Sequence, residues 1–135
     1  MQKEAVFLSL ADFLIPAHKR MPKFSDVCSF ADAQAALDFR VDLKDAFDKS
    51  LQTDLANGAE AHLENINQND KPAFSAVTTI AITTYYMNPR VRELIGYPGQ
   101  ENVQYDPKET QVYVTDGSLG HVVARGRKYR PTPGL

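Results

Sequence analysis

The side chains able to carry chemistry are few and scattered in this chain. His18, His62 and His121 stand far apart in sequence, and none has a second histidine or an acid at a recognised metal-ligand spacing, so each reads as a surface or locally bonded residue. No serine sits in GxSxG, no GxxxxGK[ST] is present, and no GxGxxG leads into a helix. Asp116-Gly117-Ser118-Leu119-Gly120-His121 reads as a plain turn rather than a phosphate cradle. Asp32, Asp38, Asp42, Asp45 and Asp48 alternate with Arg40, Lys44 and Lys49, the pattern of a solvated helix face. A paired-carboxylate site needs two acids in a pocket with separated pKa values, and nothing local provides that. Cys28 is the only cysteine, which excludes an intrachain disulfide and reads as a small, buried or half-buried apolar residue.

Composition narrows the classes further. The 135 residues suit one domain, and 43% hydrophobic with 24% charged residues is ordinary for a globular chain. Fifteen basic against seventeen acidic side chains leave a net charge of -2, which argues against a general nucleic-acid binder. No stretch approaches the ~18 apolar residues of a membrane span, so no direct membrane insertion is expected. Four cations and Tyr129 in Arg125 to Arg130 could grip single-stranded nucleic acid, yet they fit an acidic or aromatic protein patch as well.

The elements follow from periodicity. Phe7, Leu10, Ala11 and Leu14 recur at helical spacing over 3–15, and Pro16 stops that helix. The basic, proline-broken segment 17–25 reads as a loop. From Ser29 to Asn57 alanines are followed by Leu43, Phe47, Leu51 and Leu55 at intervals of four, a long buried stripe with room for a break near 41–45. Asn57-Gly58 reads as its stop, and a shorter helix then turns Ala59, Leu63 and Ile66 inward. Asp70 and Pro72 form a helix-start signal.

Residues 76–86 are the ambiguous stretch. Their β-branched and aromatic content favours strand, whereas the cap before them and the length from Pro72 to Met87 favour a helix apolar nearly all round. As a helix, Phe74, Val77, Ala81 and Tyr85 share one face, with Ile80, Ile82 and Thr84 on others. Asn88 and Pro89 open a short helix that Gly96 closes. Beyond it, Gln111 to Thr115 with Asp116-Gly117 suggests at most a short strand and turn, and Arg125 to Pro131 reads as extended.

Pro98-Gly99 then makes a stiff turn that displays Tyr97, the kind of pre-ordered aromatic that suits an interface anchor. On residue chemistry alone, folding of Tyr97 back over the preceding helix is slightly preferred.

Tyr85-Tyr86-Met87-Asn88-Pro89-Arg90-Val91-Arg92-Glu93-Leu94-Ile95-Gly96-Tyr97-Pro98-Gly99 resembles a segment of the gluconate 2-dehydrogenase subunit 3 family. That family has the form Tyr-Tyr-x-(Asp/Asn)-Pro-x-Val-x-x-x-(Ile/Leu)-Gly-Tyr-Pro-Gly. Its first helix, Leu-x-x-Leu-Ala-Asp-x-Leu-Ile-Pro-Ala, is similar to Phe7 through Ala17. The resemblance covers 5–100 and leaves the tail unmatched.

It implies an all-α fold, a small bundle of about five helices over 1–100 with an extended, irregular tail over 101–135, and it favours helix for 72–87. It also implies a non-catalytic small subunit of a heteromeric FAD-dependent dehydrogenase of the glucose-methanol-choline type, which oxidises a sugar, sugar acid or glycoside. The flavin is then expected in the large partner subunit and no cofactor in this chain, which supports its partner's folding. Arg90, Tyr97, Pro98 and Gly99 are the expected partner interface, with Arg127, Tyr129 and Arg130 as a second contact. The missing twin-arginine leader points to the cytoplasm, or to the periplasm where such a leader has been removed. The competing reading is a stand-alone helical module that binds a small ligand through Tyr85, Tyr86 and Tyr97; an independent enzyme is more remote.

Overall fold

The computed structural model describes residues 2–102, 104, 106, 111–126 and 128, and the chain divides into two units, the first through Gly99 and the second from Gln100. Both units are helical, and no strand occurs among the described residues.

In the first unit, α1 (Gln2–Leu14) buries Val6, Phe7, Leu10 and Ala11, the stripe expected of an amphipathic helix. It stops ahead of Pro16, with Ile15 N–H closing the last turn on the Ala11 carbonyl at 2.8 Å. The segment read as a loop contains structure of its own. His18 and Met21 exchange backbone bonds of 3.0 and 2.9 Å, and a helical turn, α2 (Phe24–Val27), follows. Phe24 is fully buried. Its turn is capped from a distance: Asp12 on α1 accepts from Ser25 N–H and Ser25 Oγ, both at 2.8 Å, and from Lys23 Nζ at 3.3 Å. Asp12 therefore satisfies one of the first-turn amides that α2 cannot bond internally. Periodicity did not show this, because the cap lies on another element.

α3 (Phe30–Asp38) opens with a reciprocal capping box. Ser29 Oγ accepts from Asp32 N–H at 3.3 Å, and Asp32 Oδ2 accepts from Ser29 N–H and Oγ at 2.7 Å each. A single 3-10 turn (Val41–Leu43) leads into α4 (Lys44–Ser50), so the break expected near 41–45 is present. Helix nevertheless ends at Ser50, not at Asn57. From Leu51 to Asn57 the chain bends irregularly, with Thr53 Oγ1 and Asp54 Oδ1 accepting the amides of Leu55 and Ala56 and Leu55 at φ +54°. Short polar side chains here offer the backbone a local partner in place of the helix ladder. Gly58 is correspondingly the first residue of α5 (Gly58–Asn69) and not the stop of a preceding helix. Leu63 and Ile66 point inward from α5 as expected.

α6 (Lys71–Met87) starts where the sequence placed it, with Asp70 Oδ1 accepting from Ala73 N–H at 3.2 Å. Lys49 pairs with the same carboxylate. The β-branched run is helical throughout, and two of its four threonines bond their hydroxyls back to the preceding turn. Thr78 Oγ1 donates to the Phe74 carbonyl at 2.8 Å and Thr84 Oγ1 to that of Ile80 at 2.7 Å. Tertiary burial decides against local strand preference: α6 packs against α1 to α5 and the next helix, α7 (Pro89–Leu94), burying Ala76, Val77, Ile80, Ala81 and Tyr85. In the same core, Phe7 sits among the rings of Phe24, Phe30 and Phe47 at centroid distances of 5.4 to 5.6 Å.

In the second unit, α8 (Val112–Thr115) and α9 (Gly120–Ala124) are single helical turns. The strand suggested for 111–115 is thus helical. An isolated strand would leave its amides without a ladder, whereas Asp116 Oδ1 accepts from Ser118 N–H at 2.8 Å and Ser118 Oγ donates to the Tyr113 carbonyl at 2.9 Å, fixing a turn between the two helices. Asp116 to Leu119 is therefore a turn, as read, whereas Gly120 and His121 of the same stretch begin α9.

Candidate functional site

The segment from Tyr85 to Gly99 is held to the first unit at three levels. Tyr85 is buried and its hydroxyl donates to the Pro22 carbonyl at 2.6 Å, which fixes the last turn of α6 against the segment before α2. Burial pushes its phenol upward, with Tyr86 and Cys28 adding to the effect. Asn88 then acts in two directions: its Oδ1 accepts from the amides of Arg90 and Val91 at 2.9 and 3.4 Å, while Nδ2 donates to the Val27 carbonyl at 2.7 Å. One side chain thereby starts α7 and ties it to the end of α2. Val91 is the buried anchor of α7.

The end of α7 is equally determined. Gly96 N–H bonds the Glu93 carbonyl at 3.0 Å and Tyr97 N–H the Arg92 carbonyl at 2.9 Å, the double bond pattern that terminates a helix at a left-handed glycine. The Arg92 guanidinium lies over the Tyr97 ring, 5.3 Å from its centroid, within cation–π range. Gly99, at φ +90°, brings the backbone so close that an added Cβ would stand 2.3 Å from Arg92 Nη2. The turn is therefore wrapped around Arg92.

Tyr97 remains 54% exposed on this mount. Its ring contacts the Arg92 guanidinium of the preceding helix, but the residue stays exposed and is not buried over that helix, the arrangement that residue chemistry slightly preferred. Arg90 and Pro98 are exposed, and Gly99 is half-buried. The structure joins Tyr97 and Gly99 through Arg92; Arg90 makes no ion pair among the described residues. Arg127, Tyr129 and Arg130 lie outside the described residues. Arg92 was absent from the expected site, and its signal was available: a cation five residues before a tyrosine across a glycine-ended helix.

A groove of about 220 Å³ opens beside this segment, between α3 and the α6–α7 junction, lined by Cys28, Asp32, Ala36, Phe39, Met87 and Pro89 among others. Phe39, 83% exposed, and Met87, 59% exposed, are two of its lining residues. Cys28 is 7% exposed, with its thiol 3.7 Å from the Thr84 carbonyl. Burial, and then the Asp32 charge, push that thiol up to about 11, so it stays neutral at ordinary pH. Asp32 itself is held below the usual carboxylate range by its bonds from Ser29.

The other chemical candidates stay apart. His62 Nε2 lies 2.8 Å from the Ser50 carbonyl, a local bond, and His18 and His121 are exposed. No group of three or more histidine, cysteine or acidic side chains is placed to hold a metal ion among the described residues. Tyr85 is committed to Pro22 and its ring meets that of Tyr86 edge-on, and none of Tyr85, Tyr86 and Tyr97 is among the residues that line the groove.

Comparisons with protein-family models, with curated proteins and with solved structures find no match to this chain.

Proposed function

We propose that this chain is a non-catalytic small subunit of a heteromeric FAD-dependent dehydrogenase of the glucose-methanol-choline type, acting on a sugar, sugar acid or glycoside. The partner would carry the flavin and the hydride transfer; this chain would bind the partner's surface and stabilise its loaded fold. The observation that carries the reading is the Arg92-braced turn. It holds Tyr97 half-exposed at little remaining conformational freedom, which lowers the entropy lost on docking. Support also comes from the two motifs that resemble the gluconate 2-dehydrogenase subunit 3 family: Asp12 of the first caps α2, and Asn88 and Gly96 of the second start and end α7.

The reading is tested by producing a candidate flavoprotein large subunit from the same genome with and without this chain. Co-elution, and a flavin content that falls when this chain is omitted, are expected. Separate elution with full flavin loading in its absence would overturn it.

A further inference from the structure

The groove between α3 and the α6–α7 junction has two features that together specify what fits it. The first is size. About 220 Å³ lies above the ~150 Å³ that accommodates a benzene ring and below the ~300 Å³ at which sites for metabolite-sized ligands begin. One aromatic or branched side chain fills it, and Ala35, Ala36, Phe39 and Met87 offer that side chain apolar contact. Phe39 and Met87 stay largely in water without such an occupant.

The second feature is charge. Asp32 is the one charged residue in the lining, and Oδ2 takes both bonds from Ser29 while Oδ1 accepts none. No cation among the described residues pairs with it. Arg40, just past the end of α3, is already engaged by Asp42 through two bonds of 2.9 Å, and Arg90 lies beyond Pro89, outside the lining. Asp32 is solvent-exposed at the groove's edge, so an occupant that brings a cation to its open Oδ1 gains a charge-assisted bond, whereas one that brings a like charge is repelled.

We infer that this groove is a docking socket for a segment of a partner protein that inserts one leucine or aromatic side chain between Phe39 and Met87 and sets an arginine or lysine on Asp32. The inference deepens the accessory-subunit reading and takes from it only that this chain docks on another protein. It adds a contact distinct from the Tyr97 turn and a sequence requirement on the partner.

The probe is a set of three labelled amphipathic helical peptides: one with two leucines on one face and an arginine a turn away, one with glutamate for the arginine, one with alanine for the leucines. The leucine–arginine peptide is expected to bind at submillimolar Kd, to shift the amide resonances of Ala35, Phe39 and Met87, and to slow alkylation of Cys28, the chain's only thiol. Its glutamate counterpart should bind about tenfold more weakly, since like charge replaces attraction at a partly covered site. Asp32→Asn should weaken the arginine peptide about fivefold and flatten its salt dependence. Ala35→Trp and Phe39→Ser change exposed positions, so the fold is retained while the socket is filled or stripped. Both should abolish binding. No binding by the leucine–arginine peptide up to millimolar concentration, equal affinity for all three peptides, or shifts elsewhere would overturn the proposal.

The same two variants separate it from the reading beneath it. A flavoprotein that co-elutes equally well with Ala35→Trp and Phe39→Ser overturns the socket and leaves the subunit reading standing. Charge-selective peptide binding in the socket, without any flavoprotein complex, does the reverse.

Discussion

Replacing Asn88 with alanine removes three bonds at one point where two helices meet. The two that Oδ1 accepts from Arg90 and Val91 form the N-cap of α7, and loss of such a cap costs about 1 kcal/mol. The Nδ2 bond to Val27, 2.7 Å and partly buried, contributes about another 1 kcal/mol, and its removal leaves the Val27 carbonyl short of a partner, roughly 1 kcal/mol more at the upper end. The expected sum is about 2–3 kcal/mol. For a unit of this size each kcal/mol shifts Tm by roughly 4–8 °C, so a fall on the order of 10–20 °C is predicted. Urea denaturation followed by circular dichroism gives the free energy directly, and the slope with denaturant should not change. Asn88→Asp divides the effect: the acceptor that caps α7 survives, the donor to Val27 is lost, and the cost should be about half that of alanine. A loss below 0.5 kcal/mol for alanine, or wild-type stability for aspartate, would refute the assignment of Asn88 as the joint between α2 and α7.

Three further outcomes follow from the same geometry. Phe7→Ala, which empties the middle of the four-ring cluster, should cost about 3–5 kcal/mol, and Phe7→Leu clearly less, in the same denaturation assay. Cys28 has a raised folded-state pKa, so the neutral-thiol contribution to stability is fully present below the unfolded value and is lost as pH rises through about 11. Wild type should therefore lose about 2 kcal/mol more than Cys28→Ala between pH 8 and 11, and Cys28 alkylation at pH 8 should run at least ~100-fold slower than that of a free cysteine; equal rates would contradict its burial. Gly99→Ala should displace Arg92 from the Tyr97 ring, seen as loss of the ring-current shift on the arginine δ protons, while costing about 1 kcal/mol or less in global stability because the turn is peripheral to the core.

Local signals carried far in this chain where cap and core lay close in sequence. Pro16 ended α1, Asp70 and Pro72 began α6, and Asn88, Pro89 and Gly96 bounded α7, each through a bond within one turn of the residue that announced it. For 76–86 the length and cap pointed to helix and the β-branched content to strand, and residue chemistry left the two open; packing of α6 against six other helices, which no local pattern shows, is what makes it helical. What escaped was set by neighbours in space. Phe24 begins α2 because Asp12, thirteen residues away from Ser25, caps it. The regular four-residue spacing of Leu51 and Leu55 suggested continued helix, yet Thr53 and Asp54 turned the backbone out of it. Val112 to Thr115 had strand preference, and no second strand occurs among the described residues to pair with it. At the candidate site, Tyr97 and Gly99 were visible through their turn chemistry, whereas Arg92, which both of them touch, required the folded path of the turn. The groove needed residues of α3 and α6 brought together, and no local pattern marks it.

The central claim, that the braced turn is a docking surface for a flavoprotein, is tested most directly by titrating the flavoprotein large subunit with wild type and Tyr97→Ala and measuring Kd. Circular dichroism first establishes that the variant retains its helices. A complex with wild type that Tyr97→Ala weakens at least ~10-fold is predicted, as for a central aromatic anchor. Equal affinities for the two proteins, or no complex with wild type, would contradict it.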